Sequence, residues 1–374
     1  MEGYQDTLDA LNSNLPLRDK LIQTHRVVQK QLPFVARIAI ALYDPQTSVI
    51  ETYLHSSGED DPLSNYYTTL GEAPSLARIL SEGRPRVINN MLTFEGEHEH
   101  TRRIGRQGYA ASYTMPIFNN GAFVGFIFFN SYERDVFTEA ALNYLDVFGH
   151  LVSLMVVNEL TATRTLTAAV RTTSHFTHVR DAETGSHIDR MSRYARLIAR
   201  ELATRHDLDD DYIEHVFMFS PLHDIGKIAI PDRILFKPGR LDADEGEIMR
   251  GHARKGREII DEVLSNFGLD AMQHVNILRN IAEHHHEAVN GKGYPAGLAG
   301  GDIPLEARIV AVADVFDALT SRRPYKHAWS NDEAFAALQG LAGETLDAEC
   351  VEALMRRRDE VERIQERFRE DRIG

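Results

Sequence analysis

The stretch Leu222–Lys227, with the sequence LHDIGK, decides the fold of the second half of the chain. Its His223 and Asp224 place an imidazole beside a carboxylate, and both groups bind divalent metal ions in proteins. A lone His-Asp pair is common by chance, so it carries weight only when further ligands lie in the same domain. From Val179 onward apolar residues recur at helical spacing, which predicts an all-α domain around this pair.

Further candidate ligands follow in order along this helical half. Glu183 and His187 are four residues apart, so one face of a helix presents both side chains. His252 stands alone, and the triplet His284–His286 precedes Glu287. Each of these residues has an ordinary explanation as a surface or core residue. The joint pattern, rather than any one residue, predicts a metal centre.

Asp314 completes the set, because it lies in an apolar helix of alanines and valines. A carboxylate in such a place is costly unless it is paired or binds a metal. The donors are all nitrogen or oxygen, which suits zinc, iron, manganese or nickel and argues against an iron–sulfur cluster. They outnumber the four ligands of one tetrahedral ion, so the sequence predicts two or three ions.

Such a centre suits the hydrolysis of a phosphodiester. Two ions about 3.5–4 Å apart can hold the phosphate oxygens, and one lowers the pKa of a bound water from 15.7 toward ~7. The nucleophile is then a metal-bound hydroxide, so no serine or cysteine is required. Lys227 lies one turn after the His-Asp pair, where its ammonium can meet a phosphate.

The first 137 residues predict a mixed α/β domain. Val35–Tyr43 and Val49–His55 are rich in β-branched and aromatic residues and flank a turn. Ala111–Phe118 and Ala122–Phe129 flank Asn119–Gly121, whose Asn-Gly pair is the strongest local hairpin signal. The order of strands, helix, strand, hairpin and long helix resembles a GAF domain, a small ligand-sensing module. We find no cysteine that would anchor a bilin and no cyclic-nucleotide motif, so the ligand of this module stays unknown.

A long helix is predicted to start near Thr138 and to run toward Phe176. Its apolar residues recur at alternating spacings of three and four, which is typical of a coiled-coil seam between two copies of the chain. The alternative is that the stripe packs against the sensor within one chain. The stripe comprises Leu145, Phe148, Val152, Met155, Ala162, Leu166, Ala169 and Phe176.

The His-Asp pair resembles the one that names the HD superfamily of metal-dependent phosphohydrolases. The run His285–Pro295, HHEAVNGKGYP, is similar to the signature of the HD-GYP subgroup. The segments HDIGKIAIPDRIL, KPGRL, IPLEARIVAVADVFDALTS and RPYK resemble the same subgroup, in the expected order. The resemblance covers about residues 179–350. It implies domains at 1–137 (GAF-like sensor, core about 16–137), 138–178 (connecting and dimerisation helix) and 179–374 (HD-GYP catalytic domain).

The resemblance implies a five-helix HD core that hydrolyses cyclic di-GMP to pGpG, and it leaves open whether pGpG or GMP is the final product. It implies His223, Asp224 and Lys227 as catalytic residues and iron as the favoured metal, with manganese and other ions as alternatives. Glu183 resembles the extra ligand of a three-metal variant, and His284 is treated as a neighbour of the ligands. The implied metal ligands are Glu183, His187, His223, Asp224, His252, His285, His286 and Asp314. The implied substrate contacts are Lys227, Arg323, Lys326, Tyr294 and Pro295.

One departure from the subgroup supports a rival hypothesis. Asn290 stands where the family usually has an aspartate, and the lost charge would weaken support for a ligating histidine. The rival is a receptor that binds cyclic di-GMP without cutting it. A second rival is a hydrolase of another cyclic dinucleotide, because the sequence contains no base-reading motif.

Composition further limits the partners and the cellular compartment that we expect for this protein. The 374 residues include 41 Lys and Arg against 56 Asp and Glu, a net charge of −15 that argues against a nucleic-acid polymer as partner. The single cysteine, Cys350, favours a reducing compartment, and we expect a cytoplasmic homodimer. No apolar run is predicted to reach the roughly 20 residues of a membrane span.

Overall fold

The computed structural model describes residues 6–13, 15–57, 67–91, 108–178, 185–267, 269, 274–321 and 328–369, with the backbone alone at 162–178. The chain divides into two units, Met1–Ala162 and Thr163–Gly374. This division falls inside the predicted connecting helix. The predicted order, an α/β unit followed by an all-α unit, is confirmed.

The first unit is built on a six-stranded antiparallel sheet with the order β3-β2-β1-β6-β5-β4. Asn120 and Gly121 both have positive φ, 49° and 82°, as the tight turn between β5 and β6 requires. The pairing continues from Asn119–Ala122 to Ala111–Ser131. The strands are β1 Arg37–Asp44, β2 Val49–Ser57, β3 Tyr67–Thr69, β4 Arg86–Ile88, β5 Ala111–Asn119 and β6 Ala122–Ser131.

Helices cover this sheet. α1 (Leu17–Gln31) packs on β1 and β2, α2 (Pro74–Glu82) packs near β5, and α3 runs over Glu139–His178. Gly149 of α3 lets the helix approach β5, because a Cβ there would lie 2.3 Å from the sulfur of Met115. Sequence analysis predicted α2 and the start of α3 but not α1.

The first part of the apolar stripe of α3 is packed within the first unit. Leu145, Phe148 and Val152 are buried, so they do not form the predicted seam between two chains. The alternative, packing against the sensor within one chain, is correct for this part of the helix. The exposed side of α3 instead carries Val147 and Leu154, which are 66% and 69% exposed.

Within the described residues, one segment, Glu139–Thr161, is long and apolar enough to cross a membrane by length and composition alone. The prediction that no apolar run reaches that length is therefore wrong. The segment buries Leu145, Val156 and Leu160 inside the first unit. Core helices of this kind pass the same test, so the segment is weak evidence for a span.

The second unit is helical. α4 packs against α5, α10 and α12, and α9 packs against α5, α8 and α10. Its core includes Tyr194, Phe219, Ile281 and Phe316. The helices are α4 Gly185–His206, α5 Asp210–Phe219, α6 Asp232–Leu235, α7 Ala243–Arg250, α8 His252–Phe267, α9 Val275–His284, α10 Leu305–Thr320, α11 Asn331–Leu341, α12 Ala348–Met355 and α13 Arg358–Arg367.

Candidate metal centre

Three ligand candidates sit at helix ends, and the backbone fixes each of their rings. The Nδ1 atoms of His223, His252 and His285 lie 2.9, 2.7 and 2.9 Å from the carbonyl oxygens of the residues three or four positions earlier. A hydrogen bond from Nδ1–H to a carbonyl holds the tautomer whose Nε2 lone pair is available to a metal. All three rings are buried.

Asp224 is the residue on which these rings converge. Its Oδ1 lies 3.1 Å from His252 Nε2 and 3.8 Å from His285 Nε2, and its Oδ2 lies 3.2 Å from His223 Nε2. Each carboxylate oxygen therefore faces a different set of imidazoles. Such a carboxylate can bridge two ions.

The donors form two adjacent groups. One consists of Asp224, His252, His285 and His286, and the other of His187, His223 and Asp314. The structure thus brings together seven of the eight ligands predicted from the sequence. Asp314 is partly exposed, with its Oδ1 3.7 Å from His187 Nε2.

A carboxylate that sequence analysis did not select holds His187. Asp317, fully buried one turn after Asp314, accepts from His187 Nδ1 at 2.8 Å. Arg190 donates two hydrogen bonds to the same carboxylate, from Nε to Oδ1 at 2.7 Å and from Nη2 to Oδ2 at 2.9 Å. Of the two aspartates of this helix, Asp317 is therefore the buried one rather than Asp314. The two i, i+3 pairs, His187 with Arg190 and Asp314 with Asp317, were the available signal.

Burial and charge keep the donors in the forms that bind metals. Burial lowers the pKa of His286 to about 2 and also lowers the pKa of His285, so both rings are neutral near pH 7. Burial alone would raise the pKa of Asp224, but Lys227 and His223 hold that pKa well below its usual value. Neutral imidazoles and an ionised bridging carboxylate are the forms that ligation requires.

Two of the predicted substrate contacts line the centre. Lys227 Nζ lies 2.8 Å from Asp224 Oδ2. Tyr294 stacks on His286, with ring centroids 4.7 Å apart, and its peptide bond to Pro295 is cis. Burial raises the pKa of Tyr294, so its hydroxyl stays protonated.

Glu287 anchors the glycine-rich loop that carries Tyr294. Its two carboxylate oxygens accept from the backbone N–H groups of Ala296, at 2.7 Å, and Leu298, at 3.0 Å. Gly293 must pass so close to this residue that a Cβ there would lie 2.5 Å from Glu287 Cα. The loop is thus folded back on the ligand His286.

A second glycine, Gly226, allows the segment that carries His223 and Asp224 to pack closely against α8. A Cβ at Gly226 would lie 1.9 Å from the carbonyl oxygen of His252 and 2.5 Å from Gly256 N. This close approach sets the 3-10 turn Ile225–Ala229 against the start of α8, where His252 lies. The glycine therefore fixes the distance between Asp224 and His252.

Several predicted residues are placed differently or lie outside the description. Glu183, Arg323 and Lys326 lie outside the described residues. His284 lies outside both ligand groups, 3.7 Å from Glu283 and 3.8 Å from Glu287. Asn290 accepts from the N–H of Lys292 at 3.0 Å and shapes the loop.

The residues present fit divalent ions. Asp224 Oδ1, His252 Nε2 and His285 Nε2 are buried without hydrogen bonds, although they face one another. Buried polar atoms left in this way are costly, and a bound cation would satisfy all three. Imidazole and carboxylate donors without a thiolate suit iron, manganese or zinc.

Comparisons with known proteins agree with both units. Residues 182–350 match the family model of the HD domain, and residues 23–157 match that of the GAF domain. A phycocyanobilin-bound GAF domain from a cyanobacterial phytochrome superposes with a TM-score of 0.34 at 17% identity, covering 41% of this chain and 90% of that one.

Each of two curated relatives aligns with about half of this chain. The cyclic di-GMP phosphodiesterase response regulator RpfG of Xanthomonas campestris is 46% identical over 185 residues, which are 50% of this chain and 46% of that protein. The 3'3'-cGAMP-specific phosphodiesterase 2 of Vibrio cholerae is 39% identical over 181 residues, 48% of this chain and 33% of that protein. The chain thus matches less than half the length of either relative.

Proposed function

We propose that the chain is a GAF–HD protein that acts as a cytoplasmic, metal-dependent phosphodiesterase and hydrolyses cyclic di-GMP to pGpG and onward to GMP. The observation that carries the proposal is the pair of ligand groups that meet at Asp224. Seven of the eight ligands expected from the sequence belong to these two groups, which supports the proposal. The name of the Xanthomonas relative supports the choice of substrate.

Two bound divalent ions would neutralise the phosphate and lower the pKa of a water molecule. The chain supplies the rest of the site. Asp224 holds the two ligand groups in register, and Asp317 keeps the His187 ring oriented through its Nδ1 proton. Lys227 places a positive charge beside Asp224, where it can pair with a phosphate oxygen.

Tyr294 is suited to bind the nucleotide rather than to transfer a proton. Its ring stacks on His286, so its hydroxyl end and free edge border the ligand group. Because its pKa is raised, the hydroxyl remains a hydrogen-bond donor at neutral pH. We assign it to contact with a base or a phosphate, with Pro295, Arg323 and Lys326 as the remaining predicted substrate contacts.

A second candidate substrate is 3'3'-cGAMP. A relative with that stated specificity is 39% identical over 181 residues, so similarity to known proteins does not separate the two substrates. Competition between cyclic di-GMP, 3'3'-cGAMP and cyclic di-AMP decides between them. The receptor hypothesis predicts tight binding of cyclic di-GMP with no product in the metal-loaded protein, so product analysis separates it from the enzyme.

We propose iron as the resident metal, with Glu183 as the ligand of a third ion. A third ion beside the first two would bind the terminal phosphate of pGpG and favour the second cut. Metal counting and product analysis of the Glu183→Ala variant test this. Unchanged metal content together with unchanged GMP formation would exclude the third site.

We propose that the GAF unit binds a small ligand and biases a dimer through α3. The exposed residues Val147 and Leu154 are two turns apart on one side of this helix, which suits contact with a second copy of the same helix. Deleting residues 1–137 should change the hydrolysis rate. Identical kinetics of the truncated and the full-length chain would indicate that the GAF unit serves assembly only and does not regulate hydrolysis.

The direct test replaces both His223 and Asp224 with alanine. Each ligand group loses a donor, so turnover should fall at least about a thousandfold, equivalent to ~4 kcal/mol. His284→Gln is the matched control, because His284 adjoins the ligands but lies outside both groups. It should retain near wild-type turnover. Equal activity of the double variant and the wild type would refute the proposal.

A further inference from the structure

A second cluster of metal-type donors lies away from the candidate active site, where α5 and α9 begin. It consists of Asp211 and His215, four residues apart on α5, and His274, which precedes α9. His274 Nε2 lies 2.8 Å from Asp211 Oδ2, and the two imidazole centroids are 4.6 Å apart. One donor atom from each residue lies within 4.8 Å of the others.

The orientation of His215 matches that of a ligand in the main centre. Its Nδ1 lies 2.8 Å from the carbonyl oxygen of Asp211, four residues earlier, just as His285 bonds to the carbonyl of Ile281. The same Nδ1 lies 3.2 Å from Asp211 Oδ1, so this edge of the ring faces the carboxylate that His274 also contacts.

Two side chains of the cluster are buried and the third is partly exposed. The side chains of His215 and Asp211 are 1% and 2% exposed, whereas that of His274 is 22% exposed. His274 also has φ +58°, a left-handed conformation that residues other than glycine rarely adopt and that clusters at functional sites. The backbone at 274 therefore holds the ring toward Asp211 at a conformational cost.

We propose that Asp211, His215 and His274 bind a zinc ion, separate from the phosphodiesterase metals. Two imidazoles and one carboxylate form a three-ligand tetrahedral set, with a water molecule as the fourth ligand on the exposed side of His274. Zn–N and Zn–O distances of about 2.0–2.2 Å place tetrahedral ligands roughly 3.3–3.6 Å apart, within the span of this cluster. The mixed nitrogen and oxygen donors favour zinc over calcium or magnesium.

The position of this site gives it a positioning role. α5 runs from the cluster toward His223 and Asp224, and α9 runs from it to His285 and His286. Each path is about 11–13 residues long, roughly 15–20 Å at helical rise. A zinc ion at the start of both helices would fix their relative positions, and with them the two halves of the main ligand set.

Metal counting on the full-length chain tests this proposal. The His223→Ala/Asp224→Ala background disables the main centre, so the second site can be counted after dialysis against Zn²⁺. We expect one zinc per chain in this background and none after His274→Gln or Asp211→Asn is added. Asp211→Asn keeps the size of the side chain, which guards against a variant that fails to fold.

A matched control and an independent readout complete the test. His206→Gln removes another histidine–carboxylate pair of the same unit, 2.8 Å from Glu349, and should leave the zinc count unchanged. Co²⁺ in place of zinc should give visible d–d absorption that disappears in the His274→Gln variant. No zinc in the background, or the same count in all variants, would overturn the proposal and leave the cluster as a hydrogen-bonded triad. Neither readout depends on nucleotide hydrolysis.

Discussion

Replacing Asp317 with asparagine tests how this fold holds a metal ligand. The carboxylate accepts four hydrogen bonds of 2.7–2.9 Å, from His187 Nδ1, Arg190 Nε, Arg190 Nη2 and Ser321 Oγ. An amide NH₂ group in place of either oxygen would meet at least one of these donors. It would also leave the buried Arg190 guanidinium without its counter-charge.

The expected loss has two parts. Removing one partner of a buried ion pair costs about 3–5 kcal/mol of unfolding free energy, a large share of the ~5–15 kcal/mol of an ordinary domain. Losing the carboxylate behind a ligating histidine lowers metal affinity or activity by about 10–100-fold. We therefore expect Asp317→Asn to lose stability and metal together.

The control separates these two effects. Asp347 pairs with Arg308 at 2.7 Å and caps α12, but it contacts no ligand histidine. Asp347→Asn keeps the helix cap, because asparagine caps a helix about as well as aspartate, and it loses only the charge opposite Arg308. Because this pair is not fully buried, the variant should lose less unfolding free energy than Asp317→Asn, and its metal content should stay unchanged. Denaturant unfolding and metal analysis after dialysis give both quantities. Full metal content and turnover in Asp317→Asn would refute the role assigned to this carboxylate.

Three further predictions concern other parts of the chain. Gly226→Ala should lower the free energy of unfolding by about 1–3 kcal/mol or more, and should lower turnover, because its Cβ would meet the His252 carbonyl. Gly246→Ala, on the surface of α7, is the control for the stability and the turnover measurements. Burial lowers the pKa of His25 in the first unit, so as the pH falls the unfolded state binds a proton at this residue before the folded state does. The free energy of unfolding should therefore decrease as the pH drops below ~6.5. In urea unfolding, the His25→Gln variant should show a smaller decrease over the same pH range. The double variant Val147→Asp/Leu154→Asp should be a monomer in light scattering where the wild type is a dimer. Asn143→Asp on the same helix should remain a dimer. If the double variant is still a dimer, the dimer contact does not involve this side of α3.

Local signals in the sequence predicted the elements that depend on them. The Asn-Gly turn predicted the β5–β6 hairpin, and the helical spacing around Asp314 predicted α10. The helix α1 was missed because two of its five buried residues, Thr24 and His25, are polar and interrupt the apolar pattern. The ligand motifs predicted most of the metal centre, since each ligand lies at or near a helix end that its motif defines.

Features that depend on tertiary contact were not predictable in the same way. The stripe on α3 has coiled-coil spacing, but the sheet buries Leu145 and Val152, so spacing alone misjudged its partner. Asp317 and Arg190 are separated by 127 positions, and only the packing of α4 on α10 brings them to His187. Asn290 was judged from its place in a motif, whereas its contact is with Lys292.

The central claim is that Asp224 joins two metal sites, and anomalous X-ray scattering from crystals of the anaerobically purified chain tests it most directly. Data collected on either side of the absorption edge of the bound metal locate each ion. The account predicts two peaks flanking Asp224, one beside His252, His285 and His286 and the other beside His187, His223 and Asp314. A single peak, or peaks away from Asp224, in crystals of a chain that hydrolyses cyclic di-GMP would contradict it.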